Sequence, residues 1–224
     1  SFISPYIPFH SDALFRNGFD YDFASERMIL EGSITKDKKG NTLVKIADEE
    51  FKVLFLGITT CVSEKFAEFC LEFFNKGGKL YACGMLPTKA TNIGPSDKVI
   101  SIFKQIFDIE PKEINEKLVE NKISKIDVHF NTNTNGGKAA FVSIPNAAPY
   151  KNDYIDYVAK ALSFLVEDKN ISILKENGKP ASYIIHQHKL HDNGIHFYLF
   201  ANSSKSIEYE NVEIILNYKA REIT

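Results

Sequence analysis

Residues 53–84 read VLFLGITTCVSEKFAEFCLEFFNKGGKLYACG, and this stretch decides the fold. Val53-Leu54-Phe55-Leu56 is a short, unbroken apolar run that stops at Gly57. A strand wetted on one face would alternate, so this one is expected to be covered on both faces, as parallel strands are. Ser63 is placed to cap a helix with its hydroxyl. Behind it Phe66, Phe69, Cys70, Phe73 and Phe74 fall at the i, i+3, i+4, i+7, i+8 spacing that makes one apolar stripe. Gly77-Gly78 ends the helix, because glycine enters the left-handed backbone region freely. Residues 79–84 then read as the next strand. Strand, helix, strand in this order predicts two parallel strands joined across a helix.

The pattern continues outward. After a loop holding Pro87, Ser96 is expected to cap a helix with Val99, Phe103, Ile106 and Phe107 on its apolar face. Residues 110–135 are polar and end Asn-rich; residues 139–144 give another apolar strand, and Tyr154, Ile155, Val158, Ala159, Leu162 and Leu165 a further amphipathic helix. On the N-terminal side, Phe19, Tyr21 and Phe23 alternate with Asp20 and Asp22, the period of a half-buried strand. Gly18 before it would close a short helix around Ala13-Leu14-Phe15. Ser25 then caps a helix stopped by Gly32, and Lys38-Lys39-Gly40-Asn41 punctuates a hairpin-like excursion. Past residue 182 two strand-like runs, 183–189 and 195–201, flank the turn signal Asp192-Asn193-Gly194, and residues 208–216 add a third. The expected fold is α/β: a three-layer sandwich with a mostly parallel sheet, flavodoxin- or amidotransferase-like, over residues 1–178. Antiparallel strands over 179–224 complete the sheet or begin a following β module.

With 224 residues, 44% of them hydrophobic, the chain can bury one sizeable core. A formal charge of -2 supplies no broad attraction for nucleic acid or an anionic membrane surface, so neither is expected as a partner. The three cysteines, Cys61, Cys70 and Cys83, lie in or beside apolar runs at spacings unlike metal knuckles, and read as reduced, buried small hydrophobes. No apolar stretch approaches the ~18 residues of a membrane span, and no secretory leader pattern opens the chain. It begins Ser1-Phe2-Ile3-Ser4-Pro5 without an initiator Met, which we take as the start of a piece of a longer protein.

Three segments in order carry a family likeness: Asn17-Gly18-Phe19-Asp20-Tyr21-Asp22-Phe23; Phe74-Asn75-Lys76-Gly77-Gly78-Lys79-Leu80 through Gly84-Met85-Leu86-Pro87; and Tyr198-Leu199-Phe200-Ala201-Asn202. Together they resemble the class I glutamine-amidotransferase-like domain inside α-L-rhamnosidase-like glycoside hydrolases, similar in fold to the trimerisation domain of certain bacterial β-galactosidases. The resemblance implies a domain downstream of a barrel that holds the catalytic carboxylates, commonly followed by a β-sandwich. The expected partner is therefore the neighbouring catalytic domain of the same chain, with homo-oligomerisation open.

Working amidotransferases set a nucleophilic Cys on a tight strand-to-helix elbow between glycines, activated by a His whose acidic partner follows two residues on. Cys83 stands at the right strand end. Tyr81 and Met85 replace the elbow glycines, however, Pro87 opposes an immediate helix, and no His is followed at that spacing by Asp or Glu. Cys83 therefore reads first as structural. His186, His188, His191 and His196 crowd the hairpin, and His-x-His on a strand can offer two imidazoles to one metal. A hairpin loop of two or four residues separates His196 from His186 and His188; only a three-residue loop unites the three. Packing is the plainer reading. Asp20 and Asp22 resemble a hydrolase's paired carboxylates but fit the wet face of an alternating strand. Thr132-Asn133-Thr134-Asn135-Gly136-Gly137 precedes a strand instead of opening a helix, so it reads as a turn and not as a phosphate loop. The expected function is that of a non-catalytic accessory domain, structural or oligomerising, of a larger glycoside hydrolase, without a cofactor. The alternatives are a small Cys-dependent amidohydrolase or amidotransferase using Cys83, and a carbohydrate-binding module.

Overall fold

The computed structural model describes residues 13–14, 16–19, 21–145, 153–166, 171–178, 181–190 and 194–216. Among them it is mixed α/β, with five helices and several sheets, some parallel. The chain divides into two compact units, one built on Phe23–Val166 and the other on Glu167–Thr224 with Pro8–Asp22.

The first unit opens with α1 (Glu26–Glu31), where the Ser25 hydroxyl accepts the Met28 N–H at 3.2 Å. A three-stranded antiparallel meander follows: β1 (Ser33–Lys36), β2 (Thr42–Ile46) and β3 (Glu49–Phe51). The β1–β2 turn is pinned by Asp37, whose carboxylate accepts the N–H groups of Lys39 and Asn41, both at 2.8 Å. The remaining elements are β4 (Val53–Leu56), β5 (Cys61–Val62), α2 (Glu64–Asn75), β6 (Lys79–Cys83), β7 (Lys89–Ala90), β8 (Gly94–Pro95), α3 (Asp97–Phe107), α4 (Pro111–Val119), β9 (Asp127–Thr132), β10 (Lys138–Ser143) and α5 (Asp153–Leu165).

The central sheet has the order β4-β6-β10-β9. β4 and β10 both run parallel to β6, with Val53 and Lys138 each opposite Lys79, while β9 pairs antiparallel with β10 at the edge. The strand–helix–strand unit read from residues 53–84 is thus present. Its helix starts with the Ser63 hydroxyl accepting the Phe66 N–H at 3.1 Å, while the Glu26 carboxylate takes the Ser63 N–H at 3.0 Å. It ends at Gly77, with φ +95°, and Gly78, whose N–H returns to the Phe73 carbonyl at 2.8 Å. A smaller sheet joins β5 parallel to β7 and β7 antiparallel to β8.

One core cluster joins Leu80, Ala82, Ala139 and Phe141 of the sheet to Phe66 and Phe73 of α2 and Phe103 and Ile106 of α3. Alternation turns Tyr81, Cys83, Ala140 and Val142 to the opposite face. They too are buried, and α5 packs against β6, β9 and β10. Cover on both faces is why β6 and β10 show no polar alternation.

Two stretches depart from the expectation. Phe19 and residues 21–23 form no strand, and Asp20 lies outside the described residues. Alternation needs a neighbouring strand to become a ladder, and here the Phe19 N–H instead closes the preceding helical turn on the Leu14 carbonyl at 3.0 Å. Residues 110–135, polar and Asn-rich at their end with no element expected, contain α4 and β9. Only Pro111 and Leu118 of α4 are buried, too few for an apolar stripe to show in the sequence. The helix is tied instead by Asn115, whose amide donates to the Leu86 carbonyl at 2.8 Å and accepts the Leu86 N–H at 3.0 Å, imitating a strand partner.

The second unit is antiparallel: β11 (Ile171–Leu174), β12 (Ile184–Leu190), β13 (His196–Asn202) and β14 (Glu213–Leu216) pair as β11–β14 and β12–β13. Ile171, Ile173 and Ala181 form its buried centre, packed by Ile184, Tyr198, Phe200, Tyr209, Val212 and Leu216. The Tyr209 hydroxyl accepts the Tyr183 N–H at 3.1 Å, and the Arg16 guanidinium lies 4.4 Å from the Tyr183 ring centre. The other face of the hairpin leaves Phe197 and Leu199 57% and 66% exposed.

Candidate functional site

Cys83 closes β6, where the ladder continues one residue further: the Gly84 N–H donates to the Val142 carbonyl at 2.9 Å. Gly84 has φ +69°, and the chain runs irregularly through Pro87 to the short β7 before the next helix begins at Asp97. No helix therefore follows directly on the strand, as a nucleophile elbow requires. The residue is 0% exposed. Its thiol is held far above its ordinary range, chiefly because burial penalises the charged form; a hydrogen bond with Tyr154 opposes this more weakly. Beside it the Tyr81 and Tyr154 hydroxyls meet at 3.5 Å, and burial raises both phenols well above their usual value. The cluster is neutral, internal and joins β6 to α5. It supplies what a buried polar group needs, a partner, and offers no ionised nucleophile at neutral pH.

Cys70 shares that character: buried in α2, with its thiol pushed up by desolvation. Cys61 does not. The sequence reads it as buried, but it is exposed on β5 with Val62 turned inward, and its sulfur lies 3.8 Å from the Thr91 hydroxyl. A two-residue strand puts one of its two side chains in water.

In the hairpin, Leu190 pairs with His196, His188 with Tyr198 and His186 with Phe200. The connection covers residues 191–195, longer than the three-residue loop the sequence analysis required, yet also odd, so positions 186, 188 and 196 fall on one face of the ribbon. That is the face of Tyr198 and Phe200, which pack into the unit's core. His186 is 9% exposed and its ring centre lies 6.4 Å from that of Phe200. The side chains of His188 and His196, and all of His191, lie outside the described residues. Among the described residues no three of His, Cys, Asp and Glu are grouped to hold a metal ion, and no helix is long and apolar enough to cross a membrane.

The Asn-rich turn has a task the sequence reading missed. Asn133 organises it, its side-chain oxygen accepting the N–H groups of Asn135 at 3.0 Å and Gly137 at 2.8 Å. Its amide then donates to the Phe74 carbonyl at 2.8 Å, and that of Asn135 to the Asn75 carbonyl at 2.9 Å. The Thr42 hydroxyl donates to the Lys76 carbonyl at 2.6 Å. Three successive carbonyls at the end of α2, where intrahelical partners run out, are thus met by side chains from the Asn-rich turn and from the start of β2. No protein-family model matches the chain, and no curated protein matches its sequence.

Proposed function

We propose that this chain is a non-catalytic accessory domain of a larger glycoside hydrolase, structural or oligomerising in role, with the α-L-rhamnosidase-like enzymes as the nearest resemblance. One observation carries the non-catalytic reading: Cys83, at the position an amidotransferase nucleophile would take, is fully buried and un-ionised, in hydrogen-bonding contact with Tyr154. A working nucleophile needs the thiolate and access to substrate. We read the first unit, finer than mixed α/β, as a three-layer sandwich of flavodoxin or amidotransferase type. Support comes from α2 and α3 packing on the Leu80 and Ala82 face while α5 packs toward the face of Tyr81 and Cys83. The parent enzyme and the role within it rest on the three resembling segments, since fold by itself does not fix function.

The test is the mass of the gene product in its source cells, taken with a glutaminase assay of the 224-residue chain. A native polypeptide several times 25.4 kDa and no ammonia released from glutamine fit the accessory role. A native product of 25.4 kDa, or glutamine hydrolysis lost in Cys83→Ser, overturns it.

A further inference from the structure

Asn-Gly pairs occur at 17–18, 135–136, 177–178 and 193–194. This dipeptide is chemically labile. The glycine nitrogen attacks the Asn side-chain carbonyl carbon, ammonia leaves, and a five-membered succinimide forms; one water then opens the ring at either carbonyl, to Asp or to isoaspartate. The net change is one water consumed and one ammonia released, with no redox partner. Glycine permits the attack because it carries no Cβ and its backbone rotates freely.

The fold treats the first three pairs differently; Asn193 lies outside the described residues. Asn17 is buried, its amide donated to the Ala13 carbonyl at 2.8 Å. Asn177 is exposed, but the nitrogen that would attack it, Gly178 N, is engaged by the Lys175 carbonyl at 2.8 Å. Asn135 is exposed and Gly136 N makes a longer bond, 3.2 Å to the Asn133 carbonyl. Gly136 also has φ +82° and open space around the position of a Cβ. Among the described residues, one solvent-exposed hydrogen bond, to the Asn75 carbonyl, restrains the leaving amide of Asn135.

We propose that Asn135 is a spontaneous deamidation site of the folded chain, and that its conversion weakens the clasp that Asn133, Asn135 and Thr42 form on the end of α2. Either product replaces an N–H donor with a carboxylate facing the Asn75 carbonyl, at the end of the helix where the dipole already disfavours negative charge. Isoaspartate also lengthens the backbone by one methylene, where no slack exists. A Cβ at Gly137 would lie 2.1 Å from the Phe74 carbonyl oxygen, and one at Gly77 would lie 3.0 Å from the Asn135 carbonyl oxygen. Turn and helix end are in backbone-to-backbone contact.

The folded 224-residue chain is incubated at mildly alkaline pH, which favours the deprotonated attacking amide. Samples are digested, and the peptides bearing Asn17, Asn135 and Asn177 are quantified by mass spectrometry, with isoaspartate read by enzymatic methylation. Asn135 is expected to convert several-fold faster than Asn177 and well ahead of Asn17, and Asn135→Asp, the preformed product, to melt about 2 to 4 °C lower than the parent chain. Conversion of Asn177 or Asn17 ahead of Asn135, or an Asn135→Asp variant that melts with the parent, overturns the proposal.

Discussion

In the unit built on Phe23–Val166, strand β6 is buried from Leu80 to Cys83, with the α2 and α3 side chains on one face and Tyr154 on the other. In the unit built on Glu167–Thr224, the β12–β13 ribbon packs Tyr198 and Phe200, partly buried, to one side and leaves Phe197 and Leu199 in water on the other. The contrast teaches where apolar character is needed. A two-sided strand spends every side chain on packing, while a one-sided ribbon needs only alternate ones.

Truncation at the two-sided core should have the largest effect. Phe141→Ala removes a fully buried ring that meets Phe107 edge-on at 6.3 Å, and is expected to cost about 3 to 5 kcal/mol in denaturant titration. Phe200→Ala, in the partly buried ribbon, should cost clearly less; equal losses would break the comparison. Next comes alkaline pH. Cys70 and Cys83 are held in the folded chain above their ordinary value of 9.0, so the unfolded chain ionises them first. Their contribution is fully present below about pH 9 and is lost as pH rises toward the folded values, at about 1.4 kcal/mol per pH unit for each thiol. The loss belongs to the first unit, because the second holds no cysteine. Cys83→Ala should flatten the slope by one thiol's share; an unchanged slope would place that thiol in water. Tyr209→Phe, which deprives the Tyr183 N–H of its acceptor, should cost about 1 kcal/mol in the second unit. Leu199→Lys on the wet face should stay within about 0.5 kcal/mol, and a larger loss would mean that this face is covered.

The central strands and the caps were legible because each rests on local rules. A stripe of phenylalanines needs one helix, and Ser25, Ser63 and Ser96 each cap the helix they precede. What stayed hidden depends on partners distant in sequence. α4 carries too few buried residues to announce itself and is fixed by Asn115 reaching Leu86. β9 buries only Val128, so it shows no apolar run or alternation to read. The Phe19 to Phe23 alternation met no partner strand among the described residues. At the candidate sites, the departures around Cys83 from a glycine-flanked elbow were readable in the chain, whereas the aromatic pair beside it was not, because Tyr154 reaches Tyr81 across 73 residues. The side on which His196 falls depended on loop length, which turn residues constrain only loosely.

The clasp on α2 also bears on the order of assembly. The Asn133 amide meets the Phe74 carbonyl across 59 residues, and β6 pairs with β10 over a similar separation, whereas the β9–β10 hairpin and the β4-α2-β6 unit are each local. Contacts that close long loops form after the local ones that make them worthwhile. The clasp should therefore fasten late, so that Asn133→Ala speeds unfolding while leaving the refolding rate nearly unchanged. A refolding rate that falls in step with stability would instead place this turn in the folding nucleus.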